Sequence, residues 1–279
     1  MSNTKKRAAP SQEGGEGGQK AKKQKKKSAY QVDETLLNAE LGINESFAVM
    51  DNQLLADYTA QKISRFGTDL SPVELSDLSI SANAIKDTTS WTQPRALDTL
   101  PAFLENFAER PDRLFTAPKV KGTPHTIIVA AAGLRAADVV RAVRKFQGKE
   151  STVSKLFAKH MKVDEQVQFL QKTRTGIAVG TPARLMELVD NGDHNTRDTE
   201  NTHRIYMAQK TQQTNFANPG ALKLDKLQRL VVDASHIDQK KRGIMDMKDT
   251  MLPLARWLSR KEFKERYGDE QKPLDLIFY

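Results

Sequence analysis

The chain contains no cysteine. Disulfides, thiolate nucleophiles and cysteine-ligated zinc are therefore excluded, which fits a cytosolic or nuclear protein. No apolar run approaches the roughly 20 residues that a membrane-spanning helix needs, so no membrane partner is expected. The first residues are basic but no apolar stretch follows them, unlike a secretory signal. Aromatic residues make up only 6% of the chain and few of them interleave with its basic runs, which gives little support to base stacking on a single strand. Hydrolase signatures of the G-x-S-x-G and H-E-x-x-H types are missing. The five histidines are scattered; His194 and His203 share a polar stretch, without a carboxylate at metal-ligand spacing. No metal is expected.

What the chain does have is positive charge, unevenly placed. Of its net +9, residues 1–28 carry +7, from nine Lys/Arg against Glu13 and Glu16; the other 251 residues carry +2. The first block is Lys5, Lys6 and Arg7, and the second is Lys22, Lys23, Lys25, Lys26 and Lys27. A segment so poor in apolar residues cannot offset the entropy of ordering, so 1–28 reads as a disordered tail. Its one-sided charge reads as a nuclear-import signal (Lys5, Lys6, Arg7, Lys22, Lys23) or an RNA-phosphate contact (Lys22 to Lys27); the alternative is a solubilising tail.

Residues 29–119 read as an extended and helical extension. Phe47, Met50, Leu54 and Tyr58 recur at helical spacing, with Asn44 or Ser46 available as a cap. This narrow stripe either packs on the main domain or docks a partner protein. A short helix is expected around Phe103-Leu104-Phe107, and Trp91 and Trp257 as anchors in a core or an interface. From residue 120 an α/β rhythm begins. Strands are expected at Thr126–Ala130, Gly176–Gly180, Leu230–Asp233 and Leu274–Phe278, as short apolar runs buried on both faces. Helices are expected at Ala136–Phe146, Val163–Leu170, Pro182–Val189 and Pro253–Tyr267, the third opened by proline in its first turn. Such alternation implies a parallel sheet covered on both faces. Residues 191–222 are polar and read as a surface insertion.

Three segments carry a family resemblance. "PHTIIVAAAGLRAADVVRAVRKF", "TRTGIAVGTPARLMELVDNG" and "LQRLVVDASH" follow one another as do the strand–loop–helix, Thr-Pro-x-Arg and Asp-Glu-Ala-Asp segments of a DEAD-box RNA helicase. "PLDLIFY" lies where the strand leading to the next helicase motif belongs. Residues 120–279 thus resemble the first RecA-like, P-loop NTPase-like domain of that family. The basic tail, "DLSPVELSDLSISANAIKDT" and "GTPARLMELVDNG" narrow the likeness to the Cms-type nucleolar proteins, assembly factors of the early small-subunit pre-ribosome. This resemblance implies a nucleolar protein whose partners are pre-rRNA or snoRNA and pre-ribosomal assembly proteins.

The same residues argue against ATP chemistry. A phosphate loop needs G-x-x-x-x-G-K-[ST], and the one Gly-Lys pair, Gly148-Lys149, precedes Glu150 and follows the first strand–helix unit. In the Asp-Glu-Ala-Asp position Asp233 remains, while Ala234 replaces the water-activating Glu and His236 the last Asp. No nucleotide or other cofactor is expected, and no enzyme. On the RNA side, Thr181 at a helix N-terminus, Arg184 and Arg135 are the candidates for phosphate contacts; alternatively Thr181 caps its helix and Arg184 pairs with Glu187 or Asp190. The expected function is a non-catalytic assembly factor. The rivals are an ATPase completed by a partner, and a protein-only adaptor that recruits a helicase.

Overall fold

A computed structural model describes residues 34–158, 161–190 and 220–279. Five strands form one parallel sheet: β3 (Thr126–Val129), β4 (Thr152–Leu156), β5 (Thr175–Gly180), β6 (Arg229–Val232) and β7 (Asp275–Phe278), in the order β4-β5-β3-β6-β7. Thr126–Val129 pairs with Ile177–Gly180 on one side and with Arg229–Val232 on the other. All residues of β3, β5 and β6 are buried. A strand hidden on both faces needs apolar residues at every position, which is why these strands read as unbroken runs. The parallel α/β fold expected from the sequence, consistent with a RecA-like domain, is the one observed.

Successive side chains of a strand point to opposite faces, and they feed two cores. Ile127 and Val129 pack with α2 (Asn52–Phe66), α6 (Val163–Lys172), α7 (Pro182–Asp190) and α8 (Lys248–Leu258). Ile128 and Ala130 pack with α4 (Leu100–Asn106) and α5 (Gly133–Ala142) on the other face. Trp257, fully buried against Phe263, anchors the first core, and Trp91 lies edge-on to Phe103 in the second.

The N-terminal extension belongs to the same compact unit, Val32–Tyr279. It opens with a small hairpin, β1 (Leu37–Asn38) and β2 (Ile43–Asn44), whose turn takes Gly42 to a φ of +63°. Helix α1 (Ser46–Val49) and α2 follow, then α3 (Pro72–Leu78), begun by a Ser71–Glu74 capping box.

Several boundaries differ from expectation. The stripe Phe47, Met50, Leu54, Tyr58 spans two helices, and the cap is neither Asn44 nor Ser46: the Asp51 carboxylate accepts from the Leu54 amide at 2.8 Å and starts α2. Phe47, Met50 and Tyr58 are buried in the sheet's own core, with Leu54 packed against it. The stripe is therefore internal packing, and the docking surface expected of it is corrected. The helix expected over Pro253–Tyr267 starts earlier and breaks. Met251, Leu254, Ala255 and Leu258 share a buried face from Lys248 onward, and the extended Arg260 separates α8 from α9 (Lys261–Lys264). Pro253 stands inside α8, where it forgoes the amide bond to the Asp249 carbonyl. The 136–146 helix begins at Gly133 and tightens to a 3-10 turn over Val143–Phe146. Strand β4 was not foreseen. The polar insertion ends sooner than 222, because Ala221 and Leu222 are already buried and the Leu222 amide bonds to Leu188. The rest of that insertion and the basic tail lie outside the described residues.

Candidate functional site

Open parallel sheets bind ligands beyond the carboxyl ends of their strands, where neighbouring strands send their connections in opposite directions. Here that point lies between β3, which leads by α5 to β4, and β6, which leads by α8 to β7. Arg135 stands in the first turn of α5 and Asp233 directly follows β6, with its amide bonded to the Val129 carbonyl.

The two side chains meet head-on. Arg135 Nε and Nη2 donate to the two oxygens of Asp233 at 2.7 and 3.0 Å. The pair is sequestered, with side-chain exposures of 11% and 2%. Burial opposes the arginine's charge, but the hydrogen bonds and charge of Asp233 outweigh it, and its pKa is raised. A two-pronged charged contact of this kind is among the strongest polar interactions a protein makes. It satisfies both oxygens of the carboxylate and fills the crevice with the protein's own charges.

The surroundings close the site further. The Tyr279 carbonyl accepts from the amides of Ala234 and Ser235, and the Ser235 carbonyl accepts from Asn44 of β2 at 2.7 Å. His236 is bridged to Ile43; burial, then the charge of Arg135, lowers its pKa. The N-terminal hairpin thus lies over the segment that carries the Asp233 motif.

A second closure lies on the outer edge of β7. Ile85 makes a single parallel bridge to Leu276 there, and a loop then leads to α4 ahead of β3. Residues 86–99 contain no glycine. Arg95, 2% exposed, donates Nη2 to the Thr88 carbonyl and hydroxyl at 3.1 and 2.9 Å and Nη1 to the Phe278 carbonyl. Burial lowers its pKa to about 10. Tyr279 packs edge-on to Phe103, and its hydroxyl meets Thr99 at 2.8 Å. A phosphate-binding loop presents free backbone amides from glycine; this loop presents an arginine whose two terminal nitrogens are already bonded within the chain.

Of the residues expected to touch RNA, Arg135 is held by Asp233, and Arg184 is 8% exposed. Arg184 lies 2.9 Å from Glu187, and its Nη1 donates to Gln166 Oε1 at 2.8 Å and to the Met161 carbonyl at 3.1 Å. Thr181 is half-buried, its amide bonded to the Leu156 carbonyl and its hydroxyl without a hydrogen bond to any described residue. Beyond α5 and β4 opens a groove of about 400 Å³, lined by Leu134, Phe157 and Met161 and by the exposed, unpaired Arg144 and Lys155. Sequence reading missed both cations: Lys155 sits on the unrecognised edge strand, and Arg144 is one of the polar positions of the helix expected over Ala136–Phe146. Among the described residues no group of three His, Asp or Glu side chains is placed to hold a metal.

The fold and site define a parallel α/β protein of RecA-like type whose ligand crevice is occupied by an internal ion pair. The profile of the CMS1 family, described as U3-containing 90S pre-ribosomal complex subunits, matches residues 1–201 and 199–279, so the chain belongs to that family. It is 56% identical over 247 residues to Protein CMS1 of Chaetomium thermophilum, covering 88% of this chain and 87% of that protein. Protein cms1 of Schizosaccharomyces pombe is 29% identical over 152 residues, 54% of this chain and 53% of that protein. Protein CMSS1 of Homo sapiens is 33% identical over 121 residues, 43% of this chain and 33% of that protein. Family membership makes this chain a 90S pre-ribosomal subunit in ribosome assembly, with pre-ribosomal partners and, by implication, a nuclear or nucleolar location.

Proposed function

We propose that the protein is a non-catalytic subunit of the 90S pre-ribosome, a DEAD-box-like half-domain that contacts rRNA or snoRNA phosphates and neighbouring proteins without hydrolysing ATP. The observation that carries this reading is the Arg135–Asp233 pair. An aspartate that is to hold Mg²⁺ must offer its oxygens to the metal, and both of these are bound by one guanidinium. Ala234 in place of a water-activating Glu, and the glycine-free loop closed by Arg95, point the same way.

On the RNA side, Thr181, Arg144 and Lys155 replace Arg135 and Arg184 as the phosphate contacts of the folded domain, because the latter two are already satisfied internally. Lys22, Lys23, Lys25, Lys26 and Lys27 supply charge from the tail, and Lys5, Lys6 and Arg7 serve nuclear import. Phosphate contacts of this kind position a protein on RNA without reading its sequence.

Ultraviolet crosslinking of the tagged protein in growing cells tests the RNA contact. A peak in pre-rRNA or snoRNA, weakened by Thr181→Ala with Arg144→Glu and Lys155→Glu, is expected. Background signal with the protein still in pre-ribosomes would make it a protein-bound adaptor. Mg-ATP is expected to leave the melting temperature of the purified chain unchanged, and a clear upward shift would revive the ATPase reading.

A further inference from the structure

The opposite end of the sheet holds a second cavity, of about 680 Å³, between the strand amino ends, the 109–120 segment and the 225–229 and 271–275 loops. Its lining carries seven Lys/Arg against three Asp/Glu. At its wall Arg229, the first residue of β6, is 4% exposed.

Arg229 is a buried charge with no ion-pair partner among the described residues. Its Nε donates to Thr126 Oγ1 at 3.3 Å. Thr126 Oγ1 lies 2.8 Å from His125 Nδ1, and His125 Nε2 lies 3.0 Å from the Thr116 carbonyl. A carbonyl only accepts, so Nε2 carries the hydrogen, and Nδ1 accepts from the threonine hydroxyl. Burial and the nearby guanidinium push the histidine pKa down to about 4, so the imidazole is neutral. This chain uses one guanidinium nitrogen and brings no negative charge. Arg229 Nη2 is buried with no acceptor among the described residues, and none of their carboxylates lies within ion-pair distance of Arg229, although the charges of Asp275 and Glu109 act on it from further away. Asp275, the nearest acid by register, is committed to Lys86 at 2.7 Å. Gly176 makes room for the arrangement, since a Cβ there would stand 2.8 Å from the Thr116 carbonyl.

An unpaired buried charge is costly unless something pairs with it. The rim offers flexible cations, the exposed Arg113, Lys119, Lys226 and Lys272, and a half-exposed apolar side chain, Val120. We infer that this cavity binds a phosphate group, with Arg229 as its inner ligand and the rim lysines as its outer ones. The volume is that of a nucleotide-sized ligand and exceeds what a lone anion fills. A guanidinium suits the fork geometry of phosphate oxygens, and several loosely held amines suit a ligand whose charge is spread along a backbone. The favoured source is a single-stranded RNA segment, an assignment that rests on the RNA reading above; a free mononucleotide carries the same chemistry.

The test uses the full chain and three probes: a labelled single-stranded RNA oligonucleotide, AMP, and a poly-glutamate peptide. The variants are Arg229→Gln, and Lys226→Glu with Lys272→Glu at the exposed rim, where folding is not at stake. We expect RNA affinity to fall at least about tenfold in either variant, since each removes a charge-assisted phosphate contact, with a shallower salt dependence for the rim variant. RNA as the ligand requires this loss. AMP binding that Arg229→Gln removes, with RNA binding unchanged, keeps the phosphate site and assigns it a small molecule. Poly-glutamate competing better than either phosphate ligand overturns the proposal in favour of an acidic protein partner. RNA binding indifferent to both variants, with no AMP binding, also overturns it and leaves the RNA reading standing. Failure of the wild-type chain to bind RNA, with AMP still bound through Arg229, sinks the RNA reading alone.

Discussion

The two ends of one sheet solve the same electrostatic problem in opposite ways. At the carboxyl end Arg135 is buried and completely answered by Asp233. At the amino end Arg229 is at least as buried, and its neighbours are a hydroxyl and a neutral imidazole. A buried charge that is paired stiffens a structure; one left unpaired either destabilises it or awaits a ligand. At the end where a parallel sheet ordinarily binds ligands an ion pair fills the crevice, and at the end that is ordinarily structural a buried arginine has no ion-pair partner among the described residues.

The sharpest way to break the comparison is to unpair Arg135. Asp233→Ala leaves a guanidinium buried without a partner, and a loss of about 3–5 kcal/mol is expected, read from urea denaturation. Removing both charges is a different matter. Arg135→Met with Asp233→Leu is expected to recover most of that loss, because two buried charges replaced by apolar groups of similar size are often nearly neutral. If the double variant is as damaged as the single one, the pair contributes more to stability than its mutual charge, and the closed crevice is held by cooperation with the hairpin above it.

Next in size is a pH effect that belongs to the amino end. The His125 pKa falls from its ordinary 6.5 to about 4 in the folded chain, first by burial and then by Arg229. Above pH 6.5 the imidazole is neutral in both states. Below it the unfolded chain takes up a proton that the folded chain refuses. Stability therefore falls as pH drops from 6.5 to 4 and levels off below that, by roughly 3 kcal/mol for this residue. His125→Gln should flatten the profile of unfolding free energy across that window; an unchanged slope would assign the effect to other groups, His236 first among them.

Much of the fold was legible because burial on both faces forces apolar runs, as in Thr126–Ala130 and Leu230–Val232. Strand β4, Thr-Val-Ser-Lys-Leu, was hidden because it is a sheet edge. There Ser154 is satisfied by Thr175 at 2.8 Å and Lys155 reaches solvent, so a mixed composition suffices. At the site, Asp233 stood out by its motif, but nothing in the chain linked it to Arg135, 98 positions earlier. The Arg184–Glu187 contact was foreseeable as an alternative, since residues three apart share a helix face. Arg229 gave no signal: in Leu-Gln-Arg-Leu-Val-Val it reads as the polar start of a strand. Only the arrangement of His125, Thr126 and Thr116 around it shows that the charge is unmet.

The smallest effect is also the most discriminating. Replacing an arginine that is 4% exposed ordinarily destabilises a protein, through lost hydrogen bonds and lost packing. Arg229→Met keeps most of the side-chain volume, gives up one long hydrogen bond to Thr126, and removes a buried charge that only the more distant Asp275 and Glu109 offset. The unfolding free energy of the isolated chain is therefore expected to stay within about 1 kcal/mol of the parent, or to rise. The contrast with Asp233→Ala would then show that two arginines are kept for different reasons, one for the fold and one for what the fold binds. A loss as large as that of Asp233→Ala would mean that Arg229 is already paired within the chain, and the two ends of the sheet would be alike after all.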